Sequence, residues 1–77
     1  MKRQKLIDKR LAKHSTQREV AEAVGISMQH YSKIELGHRM PSYEIMVRLA
    51  NYFNVKPDYL FYDESLLKVE NEDKILQ

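Results

Sequence analysis

The sequence predicts an all-α fold, a compact domain of five short helices. Apolar residues recur at three- and four-residue steps, and no alternating strand-like run competes with them. Helix-start residues and both glycines fall in the gaps between those apolar runs, where starts and stops belong. The length, 77 residues, leaves room for one core only. A chain of this size buries roughly 60% of its unfolded surface, so every helix must share that core.

The first helix is expected over roughly 2–14, with Leu6, Ile7 and Leu11 at helical spacing. The second opens at Thr16, where T-x-x-E (Thr16, Glu19) forms a capping box: the threonine oxygen accepts from the Glu19 amide and the glutamate reaches back. Val20, Ala21 and Val24 make its apolar side, and Gly25 ends it by taking the left-handed conformation. Ser27 caps a third helix whose Tyr31 and Ile34 point inward, with Gly37 as its C-cap. Helices two and three are each too short to stand alone, so they must pack as an angled helix-turn-helix. Pro41-Ser42 opens the fourth helix, amphipathic through Tyr43, Met46, Leu49, Ala50 and Phe53. Lys56-Pro57 begins the fifth, anchored by Leu60 and Phe61. Residues 1–62 thus form the domain, and 63–77 an acidic tail, disordered or a short extra helix. Leu66, Val69 and Leu76 give that tail an apolar edge, which Asp73 interrupts.

The net charge of +2 hides an asymmetry. Residues 1–56 carry eleven cations against five acids, a balance of +6, whereas 57–77 carry two against six, a balance of −4. A basic body suits a polyanionic partner. The absence of cysteine removes disulfides and thiolate metal sites and fits a reducing cytoplasm. No apolar run approaches the ~18 residues of a membrane span and no leader pattern follows Met1, so a cytoplasmic protein off the membrane is expected. His14, His30 and His38 fall in separate elements without ligand spacing, so no metal or other cofactor is expected. Neither a glycine-rich phosphate loop nor a nucleophile motif is present, and an enzyme is not expected.

"TQREVAEAVGISMQHYSKIELG", followed by "PSYEIMVRLANYFNVKPDYLF", resembles the Cro/cI-type helix-turn-helix regulators, lambda-repressor-like in fold. The resemblance covers about residues 5–61. It rests on Thr16-Gln17, Ala21, Gly25, Ser27, Ile34-Glu35, Gly37, Pro41-Ser42, Ala50, Val55 and Leu60 together. Two positions depart from it. Ser15 stands where an apolar residue would staple onto Val20, and Tyr31 replaces an aliphatic residue and needs a partner for its hydroxyl.

The resemblance implies that the third helix enters the DNA major groove. Its outward residues, Met28, Gln29, His30, Ser32 and Lys33, are then the candidate base contacts, with His30 and Ser32 reaching phosphates or the next base. Gln29 suits adenine, Lys33 suits guanine, and Met28 suits a thymine methyl. Phosphate contacts are expected from Gln17 in the first turn of the second helix, which the resemblance also has brace the third, from Ser27, and from His38 and Arg39 after Gly37. Lys2, Arg3 and Lys5 oppose the dipole at a helix start, a placement that makes sense beside a phosphate. Related repressors pair an arginine and a glutamate at the positions of Arg10 and Glu35. Such a pair is worth ~3–5 kcal/mol to break if buried, or ~0–1 if loose at the surface.

The resemblance also implies a homodimer meeting near Asn54, Val55, Lys56, Pro57, Asp58 and Tyr59, with Tyr62 alongside, on a two-fold symmetric double-stranded operator. The expected function is therefore a dimeric, sequence-specific repressor. An antitoxin that also regulates its own promoter, engaging a protein partner through the tail, is the alternative. A pure protein-interaction module is the third.

Overall fold

A computed structural model describes residues 1–62, and the tail reading for 63–77 lies outside them. Five helices follow in order: α1 Gln4–Ala12, α2 Gln17–Val24, α3 Met28–Glu35, α4 Tyr43–Phe53 and α5 Pro57–Phe61. The described residues contain no strand. α2 packs on α3 and α4, α4 on α5, and α1 on α3 and α5. Leu6, Val20, Val24, Tyr31, Ile34 and Leu49 are fully buried at the centre, with Ala21, Ala50, Phe53 and Leu60 around them. Each such large apolar side chain contributes about 1.5–3 kcal/mol by leaving water.

The local signals at the helix starts appear as read. Thr16 Oγ1 accepts from the Glu19 amide at 3.0 Å, and the Glu19 carboxylate accepts from the Thr16 amide at 2.7 Å. Ser27 accepts from the His30 amide at 3.0 Å and Ser42 from the Ile45 amide at 3.3 Å. Pro57 occupies the first turn of α5.

The helix ends share one device that the sequence disclosed only in part. His14, Gly25, Gly37 and Asn54 all take positive φ. Each sits inside a reciprocal pair of backbone bonds that closes the helix before it. For α3 these are His38 N–H to Lys33 O at 2.9 Å and Gly37 N–H to Ile34 O at 3.1 Å. For α1 they are Ser15 N–H to Arg10 O at 3.1 Å and His14 N–H to Leu11 O at 3.0 Å. This is the Schellman closure, which satisfies the last carbonyls of a helix. Two of its four left-handed residues are not glycine, and a side chain there is strained by ~1–2 kcal/mol. His14 is exposed, so burial offsets little of that strain. Accordingly His14→Gly is expected to stabilise the domain by about 0.5–1 kcal/mol, part of the relief being offset by the freer unfolded chain. A rise in the urea midpoint at constant slope would show this; a fall would mean that the imidazole makes a stabilising contact in solution.

Two side chains expected in apolar faces lie outside. Leu11 is 56% exposed because it stands five residues from Leu6, about 140° around the helix. Tyr43 is 74% exposed at the first position of α4, beyond the end of the core. The missing staple at Ser15 is replaced by polar contacts. Its hydroxyl lies 2.8 Å from that of Tyr52, and the neighbouring Lys13 ammonium donates to the Tyr52 carbonyl at 3.1 Å. These ties fasten the α1–α2 connection to α4.

Candidate nucleic-acid interface

Three residues of α3, Tyr31, Ile34 and Glu35, are buried and fix its inner face. Gln29 and Lys33 are exposed one turn apart, while Met28, His30 and Ser32 are half-buried beside them. The five expected base contacts therefore divide into two outer side chains and three lying closer to the body. Ser27, exposed at the head of α3, holds the His30 amide with its oxygen and keeps its own O–H proton to donate.

α3 is held by an ionic cluster that joins three helices. Arg10 Nε donates to Glu35 Oε2 at 2.6 Å and Arg10 Nη2 to Oε1 at 3.3 Å. Gln17 Nε2 donates to the same Oε1 at 2.9 Å, and Arg10 Nη1 to the Ser15 carbonyl at 3.2 Å. Glu35 is only 2% exposed. Burial by itself would raise its pKa, but Arg10, the nearby Tyr31 hydroxyl, the Gln17 amide and the Arg10 charge outweigh burial and hold the carboxyl below its ordinary range. The Tyr31 hydroxyl faces this pair without reaching hydrogen-bond geometry, and it has no other partner. Burial, then the nearby carboxylate, pushes its pKa far up. The partner that Tyr31 needs is thus adjacent, in the Arg10–Glu35 pair.

The expected phosphate contacts separate in the same way. Lys2, His38 and Arg39 are exposed. Gln17, half-buried, offers Glu35 one proton of its amide and retains a second. Arg3 is half-buried, and its guanidinium meets backbone carbonyls. Nη1 donates to Ile34 O at 2.7 Å and to Arg39 O at 3.1 Å, and Nη2 approaches Met40 Sδ at 3.2 Å. Lys5 and Lys9 lie over the Tyr59 ring, 4.8 and 5.4 Å from its centroid. Tyr59 belongs to the expected dimer patch, where Asn54, Lys56 and Asp58 are exposed and Val55 and Pro57 half-buried.

Arg18 was not among the expected contacts. It follows Gln17 in the first turn of α2 and lines two open grooves, one with Gln17 and Met28, the other with Met28 and Gln29. Its adjacency to Gln17 was the available signal. The capping box uses the amides of Thr16 and Glu19, leaving those of Gln17 and Arg18 outside it. Among the described residues, no group of three or more His, Cys, Asp and Glu side chains could hold a metal. Nor is any described helix long and apolar enough to cross a membrane.

A helix-turn-helix family model matches residues 6–60, from the core leucine of α1 to that of α5. The chain belongs to the Cro/cI-type helix-turn-helix family. It is 35% identical over 68 residues to the uncharacterized HTH-type transcriptional regulator YqaE of Bacillus subtilis (strain 168), covering 88% of this chain and 53% of YqaE. It is 33% identical over 58 residues to the cryptic phage CTXphi transcriptional repressor RstR of Vibrio cholerae, covering 75% of this chain and 52% of RstR. The chain thus spans about half the length of these curated relatives. Among solved structures, the restriction-modification controller protein C.AhdI from Aeromonas hydrophila superposes with a TM-score of 0.69 at 29% identity, over 75% of this chain and 88% of that one.

Proposed function

We propose that this helix-turn-helix chain is the DNA-reading part of a transcriptional regulator, a dimeric repressor that lays α3 in the major groove of a two-fold symmetric operator. The observation that carries the reading is the pair Gln29 and Lys33, exposed one turn apart on a helix whose other face is buried and pinned through Glu35. Both side chains suit base edges, and neither is needed by the fold. Met28, His30 and Ser32 flank them. Lys2, Gln17, Arg18, Ser27, His38 and Arg39 hold the sugar-phosphate backbone on either side. Relatives named as transcriptional regulators and as a repressor support the regulatory role.

A dimer follows from reach, since one such helix covers only a few base pairs and two half-sites lie ~34 Å apart. The α4–α5 connection, with Tyr59, supplies its contact. Binding of this kind needs no cofactor and performs no reaction. The test is selection of duplexes from a random pool by the purified protein at near-physiological salt. Enrichment of a two-fold symmetric site is the expected result. Salt-sensitive binding with no enriched sequence would overturn the reading.

A further inference from the structure

The segment before α1 is built into the end of α3. The Arg3 amide donates to the Glu35 carbonyl at 2.8 Å, and its guanidinium reaches the Ile34 carbonyl one residue earlier. The same guanidinium grips the loop beyond, at Arg39 O and Met40 Sδ, and lies 5.6 Å from the centroid of the Phe61 ring on α5. Glycine at 37 permits this path, because a Cβ there would collide with the carbonyl of Met1. One side chain thus joins the last turn of α3, the 38–40 loop and α5.

We propose that Arg3 is a positioning residue: it does not meet phosphate itself but fixes the loop from which His38 and Arg39 reach the DNA backbone. The inference rests on the reading of α3 and its flanking loop as the DNA-binding face. A planar guanidinium can serve two carbonyls and a ring together. An ammonium on a lysine stem cannot reproduce that fork, although it keeps the charge. Charge and position are therefore separable by substitution.

Arg3→Lys, Arg3→Ala, Arg39→Ala and the Arg3→Ala/Arg39→Ala double variant would be compared in binding to a random-sequence duplex, which reads backbone contacts. Hydrogen exchange of the Gly37 and His38 amides would be followed in the free protein, because their bonds to Ile34 O and Lys33 O report the loop's closure. Arg3→Lys is expected to lose about tenfold in affinity, nearly as much as Arg3→Ala, and Arg3→Ala to add less than about threefold once Arg39 is gone. Both amides should exchange about tenfold faster in either Arg3 variant. Wild-type affinity for Arg3→Lys, with additive losses and unchanged exchange, would overturn the proposal and make Arg3 a phosphate contact. If wild-type protein failed to bind any duplex, the DNA-binding reading would fall, while exchange would still decide whether Arg3 holds the loop. Should Arg3→Ala not fold, Arg3→Lys alone decides both points.

Discussion

Glu35→Ala is expected to destabilise the domain by roughly 3–5 kcal/mol, toward the lower figure, because it strands a partly buried arginine. Arg10 is 15% exposed at its side chain, so water reaches it to some extent, and Nη1 still has the Ser15 carbonyl at 3.2 Å. Gln17 loses its acceptor in the same step. Against a total of about 5–15 kcal/mol for a domain, such a loss brings unfolding within reach of mild denaturant. Replacing both charges, Arg10→Met with Glu35→Leu, should recover most of the stability, because well-packed apolar residues remove the desolvation cost along with the attraction. Urea unfolding of the single and double variants measures both; a single-variant loss under about 1 kcal/mol would make the pair a loose surface contact.

The same carboxylate gives the stability a defined pH dependence. Its pKa is depressed in the folded state, so the unfolded chain binds the proton more readily. The contribution is complete above the usual carboxylate range and is lost as pH falls through the lower, folded value. Glu35→Gln should therefore flatten the acid limb of the stability curve, as urea unfolding over a pH series would show.

What could be read from the chain was local. Thr16 with Glu19, Ser27, Ser42, Pro57 and the two glycines each act on backbone groups within a few residues, and all appear where their chemistry places them. The inward pair Tyr31 and Ile34 followed from helical period alone. Contacts across the fold left no such mark. Nothing near position 3 announces that its guanidinium will meet carbonyls 31 and 36 residues away. Nor does Gln17 announce a bond to Glu35, 18 residues on. The resemblance supplied the Arg10–Glu35 pair and a brace from Gln17 to the third helix, but not the Glu35 carboxylate as the group that glutamine meets. The left-handed His14 and Asn54 escaped because glycine is the residue that advertises that conformation. Among the five expected base contacts, side-chain chemistry put Gln29 and Lys33 first, and these are the two that stand exposed.

That distinction carries into recognition. Lys33→Ala is expected to weaken binding to the selected operator by roughly 1–3 kcal/mol and to relax preference at one base pair, with Gln29→Ala doing the same at another. Neither side chain is needed by the fold, so both variants should stay within about 0.5 kcal/mol of the parent in stability. Loss of affinity is then loss of contact, not of structure. Arg39→Ala gives the contrast: as a phosphate contact it should weaken every sequence alike and lower the slope of log K against log salt by about 1. Titrations of the parent and the three variants, on the operator and on a scrambled duplex over a range of salt, separate the two behaviours. Should Lys33→Ala follow Arg39→Ala, weakening both duplexes equally and flattening the salt dependence, then Lys33 grips the backbone. Base reading by the outer face of α3 would then rest on Gln29 and the half-buried side chains beside it.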